Sequence, residues 1–189
     1  MTYKESIIEA MAWLGEQPDT IFIGQTVAAG GSYFASSLEK VPLEKRIEFP
    51  VAEELQLGAS LGLALEGFCV VSIYPRIDFL LLAMNQLVNH IDKIGVMSNG
   101  KMKPRIIIRT SIGPKEPLDG GPQHTNDHTR ALGMMCKNIS VFKLGRYYEK
   151  APEQILECYQ AAYEAFKHSD SLAVALFVED GQSYQETKS

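Results

Sequence analysis

The sequence alternates short, mostly apolar runs with longer amphipathic segments along its whole length. The short runs are IFIG at 21–24, RIEF at 46–49, CVVSIY at 69–74, RIIIRT at 105–110, SVFKLG at 140–145 and LAVALFV at 172–178. Continuous runs of this kind are typical of strands that are buried on both faces of a sheet, with helices as crossovers between them. The sequence therefore predicts a doubly wound α/β fold, with a mainly parallel sheet of about six strands and helices on both faces.

The segments between these runs predict the helices. Their predicted ranges are 3–15, 51–66, 79–95, about 127–134 and about 152–168. Gly67 is the predicted C-cap of the second helix, Asp78 caps the start of the third, and Pro152 opens the last one. Because no linker or repeat interrupts the pattern, we expect residues 1–189 to form a single domain.

Composition and charge exclude several classes of function. Apolar residues make up 46% of the chain, charged residues 22%, and the net charge is −5, so we expect no nucleic-acid partner. No signal peptide and no membrane span are predicted. The cysteines at 69, 136 and 158 have no metal-ligand spacing, so we expect free thiols, a cytoplasmic location and no metal site in this chain.

Candidate functional residues follow three of the predicted strands. Ligands bind parallel sheets at the carboxyl ends of the strands, and Glu53, Phe79 and His124 lie in the segments after RIEF, CVVSIY and RIIIRT. Each also has a structural interpretation. Glu53 and Glu54 can complement the dipole of a helix N-terminus. Phe79 can be a core residue, and His124 can be a solvated loop residue.

Six segments, in this order, resemble a known family. They are GQTVAAGGSY, RIEFPVAEELQLGASLGLALEG, DFLLLAMNQLVNHIDKI, VMSNGK, GPQHTND and LAVALFVED. The chain resembles the pyrimidine-binding domain of transketolase-like thiamine diphosphate enzymes, and most of all the beta subunit of 2-oxoacid (pyruvate and branched-chain) dehydrogenases. The resemblance extends over about residues 20–184.

The resemblance implies roles for the three candidate residues. Glu53 corresponds to the glutamate that meets the cofactor aminopyrimidine and favours its imino tautomer, which activates the thiazolium carbon. Phe79 corresponds to the aromatic residue that stacks on the pyrimidine, and His124 to the active-centre histidine. The cofactor implied is thiamine diphosphate, and the substrate is a small 2-oxoacid or ketose-like molecule.

The second half of the cofactor implies a partner. Enzymes of this class hold the diphosphate and its metal with a GDG segment and a distant Asn, and the only similar segment here is EDGQ at 179–182. We therefore expect a separate, alpha-like subunit that binds the diphosphate and Mg²⁺, an α2β2 assembly, and self-association through the 51–66 helix. A C-terminal transketolase domain is also expected to be absent from this chain.

Departures from the family pattern leave alternatives open. Leu55 stands where relatives commonly have Gly, Gln25 and Thr26 replace a common acidic pair, and Arg76 lies near positions that are often aromatic. The chain is interpreted as a subunit of a 2-oxoacid dehydrogenase- or decarboxylase-like, or ketol-transfer, enzyme. The alternatives are a non-catalytic paralogue that binds and regulates a related subunit, and a homodimeric binder of a small pyrimidine.

Overall fold

Six parallel strands form one sheet in the computed structural model, which describes residues 1–145, 154–168 and 173–185. The sheet order is β2-β1-β3-β4-β6-β5. The strands are β1 (Thr20–Gly24), β2 (Arg46–Glu48), β3 (Cys69–Ile73), β4 (Arg105–Ile112), β5 (Ser140–Leu144) and β6 (Ala173–Asp180). Every pairing is parallel, which confirms the predicted fold class.

Helices cover both faces of the sheet. They are α1 (Tyr3–Glu16), α2 (Tyr33–Ser37), α3 (Glu53–Leu65), α4 (Ile77–Leu80), α5 (Asp92–Met97), α6 (Thr129–Met135) and α7 (Ile155–His168). Successive side chains of β4 point to opposite faces of the sheet and enter two separate cores. Ile107 packs with α1 and α7 on one face, whereas Ile106 and Ile108 pack with α3 and α4 on the other. Pro152 lies outside the described residues, and no helix within the described ranges is long and apolar enough to cross a membrane.

The predicted helix at 79–95 is helical throughout, but its helix type changes along its length. After α4 the backbone continues as a 3-10 turn at Leu81–Ala83, a π-helix at Asn85–Ile91, and then α5. The fully buried side chains of this segment are Ile77, Leu80, Ala83, Leu87 and Ile91. Their spacing of three and four residues places them on one face, which packs into the core.

The end of α3 confirms the predicted glycine stop. Glu66 is the C-cap residue and Gly67 follows it with φ of +105°. This left-handed conformation is one that glycine adopts without a steric penalty.

A buried ion pair joins the neighbouring strands β4 and β6. Arg109 and Glu179 are both fully buried, and Nη2 of Arg109 donates to Oε2 of Glu179 at 3.0 Å. Arg109 also donates to Ser37 Oγ at 2.8 Å and to Tyr184 Oη at 2.7 Å, while Tyr159 Oη donates to Glu179 at 2.7 Å. These bonds satisfy both charges inside the core, as a buried pair requires.

Candidate active site

The carboxyl edge of the sheet contains a topological switch point. From β1 the chain crosses to β2 on one side and then, through α3, to β3 on the other side. Crevices at such points are the usual ligand sites of open α/β sheets. The connections after β1, β2, β3 and β4 all emerge at this edge and contain the candidate residues.

Glu53 is the first residue of α3, and its side chain is turned into the protein. It is only 5% exposed, and its Oε1 accepts a hydrogen bond from Gln25 Nε2 at 3.1 Å. Its backbone carbonyl accepts a bond from Tyr74 Oη at 3.4 Å. Burial, with a smaller contribution from the charge of Glu53, raises the pKa of Tyr74 above its usual range, so the phenol stays a donor.

The Glu53 side chain lines an open groove at the start of α3. The lining residues are Ala52, Glu53, Glu54, Leu55, Gly58, Ala59, Leu82 and Gln86. Glu54 differs from Glu53, because it is exposed and accepts a hydrogen bond from Asn85 Nδ2 at 3.2 Å. Only one of the two neighbouring acids is therefore buried at the groove.

A buried polar network fixes α3 on β3 behind this carboxylate. Gln56 Nε2 donates to Ser72 Oγ at 3.2 Å and to the Ile73 carbonyl at 3.0 Å. Ser60 Oγ bonds Ser72 Oγ at 3.0 Å and the Gln56 carbonyl at 2.8 Å. Because Gln56, Ser60 and Ser72 are fully buried, these bonds specify how the first turns of α3 sit against the end of β3.

Phe79 and His124 contact each other on the neighbouring connections. Their rings meet edge to face, with centroids 5.4 Å apart and an interplanar angle of 86°. Both side chains are half-buried. The Nδ1 atom of His124 is buried and has no hydrogen-bond partner in the described part of the chain, which is unusual for a buried polar atom.

Backbone contacts hold the His124 loop in place. Gly113 N donates to the His124 carbonyl at 3.0 Å, and His124 N donates to the Gly121 carbonyl at 3.0 Å. A Cβ atom on Gly113 would lie 2.1 Å from that carbonyl oxygen, and one on Gly120 would lie 3.0 Å from His124 Cβ. The two glycines thus allow the loop to fold closely around His124.

The predicted helix cap at Asp78 is wrong, since Arg76 is the N-cap residue of α4 and makes no side-chain capping bond. The Asp78 carboxylate instead accepts a bond from Asn126 Nδ2 at 2.5 Å, and His128 Nε2 lies 3.5 Å from the same oxygen. Only 9% of the Asp78 side chain is exposed. Asp78 therefore ties the start of α4, which carries Phe79, to the loop that carries His124.

Of the three predicted site residues, Phe79 and His124 are in contact with each other, and Glu53 lies apart from them. Phe79 and His124 touch, whereas no hydrogen bond or ion pair joins Glu53 to His124 within residues 1–145. Leu82 connects the two parts, because it lines the Glu53 groove three residues after Phe79. Sequence reasoning missed Gln25 as a site residue, although its position after a strand was a usable signal.

The EDGQ segment at 179–182 has an internal structural role. Glu179 is the buried partner of Arg109, and Asp180 Oδ2 accepts a bond from Ser183 Oγ at 2.7 Å. Gly181 N donates to the Ile112 carbonyl at 2.9 Å. Both acids and the glycine of this segment are thus bonded within the protein at the end of β6. The segment therefore does not fit a diphosphate–metal site.

Comparison with solved structures defines the class of fold. Over 100% of this chain and 54% of the other, the structure superimposes on a split gene transketolase, described as an inactive beta4 tetramer, with a TM-score of 0.66 and 17% identity. The fold is thus that of the transketolase-like pyrimidine-binding domain.

Sequence comparison then identifies the relatives, although no protein-family model matches the chain. It is 30% identical over 138 residues to the mitochondrial pyruvate dehydrogenase E1 component subunit beta of Saccharomyces cerevisiae, with 70% of this chain and 37% of that protein aligned. It is 28% identical over 148 residues to the 2-oxoisovalerate dehydrogenase subunit beta of Bacillus subtilis, with 76% and 43% aligned. The chain is a homologue of these beta subunits and spans less than half of their length.

Proposed function

We propose that this chain is the pyrimidine-domain subunit of a thiamine diphosphate-dependent enzyme that acts on a 2-oxoacid or ketose-like donor. The observation that carries the proposal is the Glu53 carboxylate. It is 5% exposed, stands at the switch point of the sheet and lines a groove, while its neighbour Glu54 is exposed and bonded elsewhere. A buried acid at this position has no stabilising ion pair among the described residues.

The described residues fit the pyrimidine half of this cofactor. Glu53 offers a carboxylate to a ring nitrogen, and Phe79 offers an aromatic face that is half-exposed. When bound, the cofactor would supply a carbon nucleophile that adds to the substrate carbonyl, and it would take up the electron pair left when the bond next to that carbonyl breaks.

Each residue then has a definite task. Gln25 bonds Glu53 Oε1, so the other carboxylate oxygen, Oε2, would exchange a proton with the pyrimidine. Phe79 would pack against the flat ring. His124 donates or accepts a proton near the substrate through its ring nitrogens, and the edge contact with Phe79 fixes the orientation of its ring.

The diphosphate and its Mg²⁺ require a companion subunit in this proposal. Exposed apolar side chains around the groove support a partner surface, because Val51 is 79% exposed, Leu55 61% and Leu82 65%. Gly62 lies on the exposed side of α3, where a Cβ atom would meet nothing within 4 Å, which suits the close approach of a second copy of the chain. We therefore propose an α2β2 assembly with an alpha-like, diphosphate-binding subunit.

The test is cofactor-dependent turnover by the chain together with its co-purifying companion. Thiamine diphosphate, a magnesium salt, a set of 2-oxoacids and an artificial electron acceptor are added, and the substrate consumed is measured. We expect Glu53→Gln to reduce kcat by about 10²–10⁴-fold and Glu54→Gln, the matched control, to stay within about twofold of the unmodified protein, since Glu54 is exposed. Equal turnover by Glu53→Gln and the unmodified enzyme would show that the assigned role is wrong.

Calorimetry separates this proposal from a non-catalytic, regulatory paralogue. A subunit that holds half of the cofactor binds its companion more tightly when thiamine diphosphate is present, because the ligand binds only the assembled form. Companion affinity that does not change with the cofactor would favour the regulatory alternative.

A further inference from the structure

We propose that Gln25 is a positioning residue for Glu53, and that its uncharged amide holds one carboxylate oxygen so that the other faces the ligand. The effect of this pairing on catalysis rests on the proposed function. The pairing itself can be tested on the isolated chain.

The first observation is the contact between the two side chains. Gln25 directly follows β1, and its Nε2 donates to Glu53 Oε1 at 3.1 Å, across the switch point between the β1 and β2 connections. Gln25 is half-buried, and its amide nitrogen points to the Glu53 carboxylate. Its amide is therefore placed to orient that carboxylate.

The second observation is a carboxylate that organises the loop after Gln25. Glu48, at the end of β2, accepts backbone N–H bonds from Thr26 at 2.6 Å, Ala28 at 2.8 Å and Ala29 at 3.1 Å. Thr26 has φ of +59°, a conformation that needs such support in a non-glycine residue. Glu48 thus fixes the backbone from which the Gln25 side chain reaches Glu53.

The charge of the partner decides how Glu53 can work. An amide N–H bonded to a carboxylate orients it without adding charge, whereas a second carboxylate at this distance would oppose its ionisation. Gln25 occupies a site where an acid of nearly the same shape would make an acidic pair. The amide therefore holds Glu53 without placing a second carboxylate beside it at the groove.

The test on the isolated chain is a double-mutant cycle in thermal stability. Gln25→Glu, Glu53→Gln and the exchange variant with both substitutions are melted at pH 7 and at pH 4. At pH 7 we expect Gln25→Glu to lower Tm by about 3–6 °C, because two ionised carboxylates repel each other, and to recover most of this loss at pH 4. In the Glu53→Gln background the same substitution should cost about 1 °C or less, because the amide and the carboxylate have only changed places.

Gln86→Glu is the matched control, because Gln86 lines the same groove and the substitution makes the same change of charge. We expect the change in Tm that Gln86→Glu causes to be equal in the two Glu53 backgrounds within about 1 °C. The proposal is overturned if Gln25→Glu lowers Tm equally with and without the Glu53 carboxylate, or if Gln86→Glu shows the same coupling.

Turnover with the companion subunit tests the catalytic consequence. We expect Gln25→Ala to lower kcat about tenfold with little change in KM, because a loosely held carboxylate is in the right geometry less often. A Gln25→Ala enzyme with unchanged kcat would overturn the positioning role. If the unmodified protein shows no cofactor-dependent turnover, the proposed function fails, whereas the melting cycle still decides whether Gln25 and Glu53 are coupled.

Discussion

Gly113 offers a sharp test of how the His124 loop is held. A Cβ atom at this position would lie 2.1 Å from the His124 carbonyl oxygen, whereas real Cβ contacts stay beyond 3.0 Å. Gly113→Ala therefore forces that oxygen to move by about 0.9 Å or more. The movement strains or breaks the bond from Gly113 N to the same oxygen, which measures 3.0 Å.

The expected loss can be worked out from these distances. Breaking one backbone hydrogen bond and displacing a packed loop should cost about 1–3 kcal/mol of unfolding free energy. If His124 acts in catalysis, a displacement of about 1 Å should also lower kcat/KM by about 10²-fold. Urea unfolding followed by the fluorescence of Trp13, the single tryptophan, measures the first effect, and turnover with the companion subunit measures the second.

Gly133→Ala is the matched control for this substitution. Gly133 lies within α6, and a Cβ atom there would meet nothing within 4 Å. Alanine should therefore stabilise the chain by about 0.5–1 kcal/mol through its better helix propensity. A Gly113→Ala protein as stable and as active as the unmodified one would refute the reasoning about the loop.

Other predictions concern buried charges, acid and thiols. Glu179→Gln leaves the fully buried Arg109 without a counter-charge, and we expect a loss of about 3–5 kcal/mol in a denaturant titration. Burial raises the pKa of Glu48, but its backbone N–H bonds outweigh this and hold the pKa below the ordinary 4.5. The stability that Glu48 contributes is therefore present above about pH 4.5 and lost as the pH falls through the lowered value, so Glu48→Gln should flatten the fall in unfolding free energy on acidification. Burial raises the pKa of Cys69 to about 12 and that of Cys136 to about 11, so both should react with a thiol reagent at pH 8 at least about 100-fold faster after unfolding.

The sheet was predictable because its strands are local patterns. The run at 105–110 predicts β4, observed at Arg105–Ile112, and the run at 69–74 predicts β3, observed at Cys69–Ile73. Apolar, β-branched residues bounded by breakers carry this information within a few positions. The helical segment after β3 was predicted in its extent but not in its 3-10 and π turns, because its apolar residues have the spacing of an ordinary α-helix.

The sequence could predict individual site residues in the segments after the strands, but not the side chains to which those residues are hydrogen-bonded. Glu53 lies at the start of a helix that follows a strand, and this position can be read from the sequence. Its bond to Gln25 joins residues 28 positions apart, and the bond of Asp78 to Asn126 joins residues 48 apart. Side-chain pairings over such separations depend on the folded connections, so local capping rules gave the wrong role for Asp78.

The strand order has a consequence for how this chain folds during synthesis. β6 lies between β4 and β5 in the sheet, so β5 has no neighbour until residues 173–180 have left the ribosome. The arrival of β6 also brings Glu179 to Arg109, which until then has no described counter-ion. The nascent chain must therefore wait for β6 before the charge of Arg109 is neutralised, and a ribosome stalled before residue 173 would hold a protein with an open sheet and an exposed edge.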